Sequence, residues 1–230
     1  MEYYYTDKEN ITEKVLRITG DEAHHLKNVM RKNKGNEIWV TNGEKFIYKT
    51  QIISAGKEDI TCEILNTFYN VNEPSKKIHL YLALLKNPSR FEFAIEKSVE
   101  IGVNEITPLI TEHVINKEME KTERWQSIAL SAMKQSQRCY LPKINQPVNF
   151  NEALKIPGDN IKIIAHEKAD DEYKFVTESG NEISLFIGPE GGFSDDEIDK
   201  AKIHDFKLLN LGKRKLRSET AALVSLSRLL

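Results

Sequence analysis

No run of apolar residues in this chain is long enough to cross a bilayer, which argues against a helical membrane span. A basic stretch followed by an apolar core, the mark of a secretory leader, is also missing from the start, Met1-Glu2-Tyr3-Tyr4-Tyr5, so the cytoplasm is the expected compartment. Cysteine is scarce. Cys62 and Cys139 lie far apart in no metal-ligand or redox spacing, so two unpaired thiols are expected. His24 and His25 are not spaced with other ligands, and no metal site is expected. Nor is there an excess of positive charge: 33 Lys and Arg against 35 Asp and Glu give a net charge of −2, unlike a generic nucleic-acid binder. Basic residues cluster locally instead, as Lys27, Arg31, Lys32 and Lys34 near the start and as Lys213, Arg214, Lys215 and Arg217 near the end. Either cluster reads as a solvated face or as an RNA contact.

The 230 residues, 40% hydrophobic and 30% charged, have the balance of a globular protein of one large or two smaller domains. Up to about residue 70, short apolar segments alternate with turn signals. Strands are expected at Val15–Ile18, Ile38–Val40, Phe46–Ile53 and Ile60–Leu65, with Asn42-Gly43 marking a hairpin between the second and third. Asp21 can cap a short helix whose inner face carries Leu26, Val29 and Met30. Together these suggest a small β-barrel with one helix. Periodicity lapses from Val71 to Lys77, which divides the chain into domains 1–72 and 73–230.

Beyond the boundary the rhythm changes to buried strands alternating with helices. Ile78–Leu85, Ile106–Ile110, Ile161–Ala165, Ile183–Ile187 and Phe206–Leu209 read as strands. Phe91, Ile95 and Val99 mark a helix stopped by Gly102, a long helix is expected from Lys121 to Gln137, and Ser194 to Glu197 has the spacing of a capping box. The pattern is that of an α/β domain with a parallel sheet, in which ligands bind at the carboxyl ends of strands.

Two glycine-bearing signatures begin at such ends: Phe186-Ile187-Gly188-Pro189-Glu190-Gly191-Gly192-Phe193-Ser194, and Leu211-Gly212-Lys213-Arg214-Lys215-Leu216-Arg217-Ser218-Glu219-Thr220-Ala221. Neither has the Gly-Lys-Ser/Thr ending of a phosphate loop or the spacing of a dinucleotide fingerprint. The first, read alone, has as its lesser alternative a tight turn needed only for strand-to-helix reversal. As a pair they suggest backbone clamps around one small molecule, with basic residues beside an anionic partner. His166 and Glu167, at the end of another strand, are further candidates for ligand contact, although a lone histidine there is more often packed.

Both signatures resemble the cofactor-binding motifs of SPOUT-class RNA methyltransferases, and in particular the 16S ribosomal RNA uridine N3-methyltransferase family. Three further stretches match that family in order: His24-His25-Leu26-Lys27-Asn28-Val29-Met30-Arg31, Glu96 to Val103, and Gln135-Ser136-Gln137-Arg138. The resemblance implies a PUA-like RNA-binding barrel, then a trefoil-knotted domain that binds S-adenosylmethionine and dimerises, and 16S rRNA of the small ribosomal subunit as partner. Ile187, Gly188, Pro189, Glu190, Gly191, Gly192, Leu211, Gly212, Leu216 and Ser218 are then the expected cofactor-binding residues, and Lys27, Arg31, Arg138 and Arg214 the expected RNA contacts. The terminal helix, with Leu223, Leu226, Leu229 and Leu230, would be the element passed through the knot.

Uridine N3 must lose its proton before it can accept a methyl group, and a nearby cation would stabilise the resulting anion. Arg217 is the candidate, since a guanidinium stays charged; its other reading is a phosphate contact. Glu190 and Glu219 are the carboxylates nearest in sequence. Either could take the proton, with Glu219 the catalytic candidate, yet Glu219 also suits the first turn of a helix and Glu190 suits bracing its own loop, so the base stays unassigned. Rival readings are a SPOUT ribose 2′-O-methyltransferase, a non-catalytic RNA-binding or ribosome-assembly factor, and a nucleotide hydrolase.

Overall fold

The computed structural model describes residues 2–56, 58–115, 121–155, 161–167 and 182–230. The chain divides into two compact units, Met1–Glu73 with Met133–Leu141, and Pro74–Ala132 with Pro142–Leu230.

The first unit is built on a five-stranded sheet: β1 (Tyr3–Tyr5), β2 (Val15–Thr19), β3 (Glu37–Thr41), β4 (Phe46–Ala55) and β5 (Asp59–Tyr69). Their order is β1-β3-β4-β5-β2, with β1 parallel to β3 and the other pairs antiparallel. Register shifts between Lys49 and Thr50 and between Ile52 and Ser54 bend β4, as bulges do. The sheet curls on itself: the hydroxyl of Thr6, just past edge strand β1, donates to the Arg17 carbonyl of the opposite edge, β2. Leu16, Ile18, Ile38, Val40, Ile52 and Ile60 point into the resulting core. The expected strands appear where apolar alternation placed them; β1 was not anticipated, because three consecutive tyrosines carry no alternation.

The helix of this unit departs from expectation. α1 (Gly20–His24) is capped by Thr19 without a side-chain bond, and Asp21 falls inside its first turn. It continues as a π-helical turn over His25–Val29, closed by the Met30 N–H donating to the His25 carbonyl at 3.0 Å. That wider turn moves residues three and four places on off the buried face. Leu26 is fully buried, whereas Val29 and Met30 are 61% and 38% exposed, correcting the inner face expected for them.

The second unit holds a seven-stranded parallel sheet of β6 (Lys77–Ala83), β7 (Glu105–Ile110), β8 (Lys143–Ile144), β9 (Val148–Asn149), β10 (Ile161–Ala165), β11 (Glu182–Ile187) and β12 (Lys207–Leu209). The order is β12-β10-β11-β6-β7-β8, with β9 also on β7. Its helices are α2 (Pro88–Ile101), α3 (Thr122–Gln135), whose last residues enter the first unit, α4 (Phe150–Ala153), α5 (Asp195–Ile203) and α6 (Ser218–Leu229). Asn87 caps α2 by accepting the Ser89 N–H, and Gly102 ends it at φ +123. A β-carbon on Gly102 would stand 2.6 Å from the Pro74 ring, so helix stop and close packing both require glycine there. Leu226 and Leu229 of α6 are buried, and Leu223 and Leu230 are half-buried.

Candidate active site

Parallel order makes the carboxyl ends of β10, β11 and β12 neighbours, so the turns leaving them meet. They enclose a cavity of about 640 Å³ within the second unit. Ile187, Gly188, Pro189, Glu190, Gly191 and Gly192 of the first turn line it together with Leu211, Gly212, Leu216 and Ser218 of the second. Arg214 and Arg217 stand on the same lining, as do His166 and Glu167 from the end of β10.

The first turn is braced on every side. Gly192, at φ +72, donates its N–H to the Pro189 carbonyl at 2.9 Å. His113, two residues past Thr111 at the exit of β7, brings Nδ1 to 3.0 Å from the Gly192 carbonyl, which requires the proton on that nitrogen. A β-carbon on Gly191 would stand 3.0 Å from that of His113, so the turn packs this closely only because glycine occupies the position. Both oxygens of Glu190 accept the backbone N–H of Lys86, at 3.1 and 3.3 Å. The expected capping box forms: Ser194 Oγ accepts the Glu197 N–H, and Glu197 Oε2 accepts the Ser194 N–H. Glu197 Oε1 also accepts the Glu112 N–H at 2.9 Å, which ties α5 to the exit of β7.

The second turn carries the positive charge. Gly212 adopts φ +112 and donates its N–H to Asn210 Oδ1 at 2.7 Å, while the His166 N–H donates to the Leu209 carbonyl at 3.0 Å. Lys213, Arg214, Lys215 and Arg217 are exposed; Lys215 approaches Glu167 only to 3.7 Å. Arg217 is the N-cap residue of α6 and makes no side-chain bond among the described residues. Its guanidinium and the unsatisfied N–H groups of the first helical turn therefore concentrate positive potential at one edge of the cavity.

Other expected site residues lie elsewhere. Glu219 is not on the cavity lining: it is only 8% exposed, Oε1 lies 3.8 Å from Arg90 Nε of α2, and Oε2 has no hydrogen-bond partner. Lys27 and Arg31 are exposed in the first unit, where Lys27 Nζ donates to the Gly56 carbonyl. Arg138 departs furthest from an RNA-facing position. It is 3% exposed, and its guanidinium is gripped by Glu73 at 2.6 Å while the same carboxylate accepts the Cys139 and Tyr140 N–H groups. A guanidinium enclosed in this way fixes residues 138–140 to Glu73 and offers nothing to a phosphate. Both cysteines are free and buried, and burial pushes each thiol up to about 11. No group of three or more His, Cys, Asp or Glu among the described residues could hold a metal ion, and no helix among them is long and apolar enough to cross a membrane. His113, Lys86 and the second bond of Glu197 escaped the sequence reading. The one signal for His113 was its place just past a buried strand.

Two family models match the chain: an RNA methyltransferase domain over residues 72–230, and an RNA methyltransferase PUA domain over residues 18–65. Ribosomal RNA small subunit methyltransferase E of Mesomycoplasma hyopneumoniae is 40% identical over 92% of this chain and 92% of its own length. A putative methyltransferase of Legionella pneumophila, solved in complex with the bound cofactor SAM, has a TM-score of 0.87 at 32% identity over 99% of this chain and 96% of that one. A ribosomal RNA small subunit methyltransferase E of Neisseria gonorrhoeae, solved bound to S-adenosyl methionine, has a TM-score of 0.88 at 28% identity over 100% and 96%.

Proposed function

We propose, because this chain belongs to the ribosomal RNA small subunit methyltransferase E family, that it transfers a methyl group from S-adenosylmethionine to N3 of one uridine in the decoding region of 16S rRNA. The observation that carries this reading is the convergence of Gly191 and Gly212 on a single cavity. Its volume of about 640 Å³ falls within the range of small-molecule sites. Its lining fits the cofactor: Ile187, Leu209, Leu211 and Leu216 supply an apolar slot, and the glycine turns expose backbone donors and acceptors suited to an adenine and a ribose. When bound, S-adenosylmethionine supplies an electrophilic methyl on a sulfonium.

The chain's own residues then have three tasks. The braced turn, Gly188 to Ser194, holds the floor of the cavity in one shape, so the nucleophile is aligned without reorganisation. Arg217 faces the uracil and stabilises the charge that develops at its oxygens as the imide proton leaves. Glu219 holds the first turn of α6 against α2 and so keeps Arg217 in place, a positioning part that replaces the proton-accepting one. In this reading Arg214 contacts RNA phosphate at the mouth, and the barrel of residues 1–72, with Lys27 and Arg31, grips the folded RNA. The domain of residues 73–230 carries the knot and pairs two copies in the cytoplasm as a homodimer acting on the small ribosomal subunit.

Unmodified small subunits incubated with the protein and S-adenosylmethionine should acquire one primer-extension stop at a uridine, and calorimetry should detect one cofactor site per chain. Methylation mapped to a ribose 2′-oxygen would overturn the N3 assignment; absence of cofactor binding would overturn the enzymatic one.

A further inference from the structure

The turn that carries Val29 and Met30 is built to expose them. An α-helix continued from α1 would lay both beside buried Leu26; the π-helical turn rotates them outward instead. Backbone bonds hold the arrangement. The Met30 N–H donates to His25, the Lys32 N–H to Leu26 at 3.0 Å, and the Gly35 N–H to Ile52 at 2.8 Å. Arg31, between them, takes the left-handed conformation at φ +53, which a non-glycine residue adopts only where its surroundings enforce it. From Ala23 to Asn36 the sequence contains no acid but four cations, Lys27, Arg31, Lys32 and Lys34. Lys27 is occupied by the Gly56 carbonyl, whereas Arg31, Lys32 and Lys34 have no anionic partner among the described residues.

An exposed apolar pair amid cations without counter-charges matches one kind of partner: an unpaired nucleotide flanked by phosphates. We infer that Val29 and Met30 form an apolar wedge that packs against an unstacked base of the RNA, while Arg31, Lys32 and Lys34 neutralise the phosphates on either side. Apolar side chains inserted beside bases work this way in other nucleic-acid complexes, and unpaired bases are the usual targets of specific RNA recognition. The inference rests on the proposal that the barrel binds RNA and adds the part of the barrel and the state of the nucleotide it meets. A membrane or a second copy of this chain is less well matched, since an apolar surface of two side chains is too small to support either alone.

Binding of unmodified small-subunit rRNA to the full-length protein, followed across a salt series, tests the wedge. The double variant Val29→Ser with Met30→Ser should lose about tenfold in affinity with an unchanged salt slope. The triple variant Arg31→Gln, Lys32→Gln and Lys34→Gln should flatten that slope by about two, as loss of three single-strand phosphate contacts requires. Both variants should keep the wild-type melting temperature and S-adenosylmethionine affinity, because all five side chains lie in the other unit from the cavity. Wild-type RNA affinity in the serine variant would overturn the wedge, as would a change confined to oligomeric state. Absence of methyl transfer by the wild-type protein would instead overturn the proposed function and leave the binding result standing.

Discussion

The two glycine turns of the second unit do similar work by opposite means. The turn after β11 is fastened to three neighbours, through Glu190 to Lys86, through Gly192 to His113 and through Glu197 to Glu112, and it carries no cation. The turn after β12 ties Gly212 to Asn210, whose carbonyl accepts from Arg228, and it presents Lys213, Arg214, Lys215 and Arg217 to solvent. One wall of the cavity is thus braced and free of cations, the other basic and exposed. A site that must hold a small molecule tightly and then admit a bulky polyanion needs both properties, and a single turn could not combine them: bracing consumes the polar groups that an approaching ligand would use.

The largest expected effect comes from the charged wall. Arg217→Ala should lower kcat by about 100-fold or more, the order seen when one transition-state donor is removed, while cofactor affinity measured by calorimetry stays near wild type. Equal loss of both would assign Arg217 to the pocket and erase the contrast between the walls. Next comes the fixed wall. Glu197→Ala removes half of the capping box and the tie to Glu112, and should lower stability by about 2 kcal/mol in denaturant melts, with a matching fall in cofactor affinity. A stable variant with normal affinity would show that the bracing is incidental.

Gly212→Ala should cost about 1 kcal/mol, because φ +112 strains any side chain although nothing lies within 4 Å of the new methyl. Gly191→Ala, by contrast, should act through the β-carbon of His113, so Gly191→Ala combined with His113→Gly should recover cofactor affinity where Gly212→Ala with His113→Gly does not. Recovery in both pairs would mean that the walls are coupled. The smallest effect lies at the opposite end of the strands. Burial holds the His79 imidazole below its ordinary value of 6.5, against the pull of Glu105. The unfolded chain then binds the proton first, so His79 contributes stability above about pH 6.5 that is lost as pH falls toward its folded value. His79→Gln should flatten the melting-temperature profile between pH 7 and 5 without altering kcat at pH 7.5; an altered kcat would tie the far end of the sheet to the site.

Local signals were legible where one element's own chemistry decides its structure. Four strands of the first unit and five of the second, the Gly102 stop, the Ser194 capping box and both glycine turns follow from alternation, capping and backbone freedom, each written within a few residues, whereas β1 and the two-residue strands β8 and β9 are too short or too uniform to show a period. The same logic failed at Val29 and Met30, since a π-helical turn is specified by how the chain must leave Leu26 for β3, not by helical spacing. It failed at Arg138 because the sequence separates it from Glu73 by 65 residues, and a charge with a hidden partner reads like a charge facing solvent. His113 and Lys86 were silent for a related reason: neither belongs to a motif, and both act only by lying beside one.

What the sequence by itself determined is a chain of two parts, a small β unit followed by a parallel α/β unit, with two turns able to approach a ligand at backbone distance. Those properties depend on side-chain periodicity and on glycine's lack of a β-carbon, which any stretch carries regardless of its neighbours. Only the tertiary structure decided that the two turns share a cavity, which acids brace and which stand apart, and which arginines stay exposed on its lining. Strand order brings residues 188–194 and 210–217 together, and burial turns the carboxylate of Glu73 into a partner for Arg138, while Arg217 stays exposed on the cavity lining.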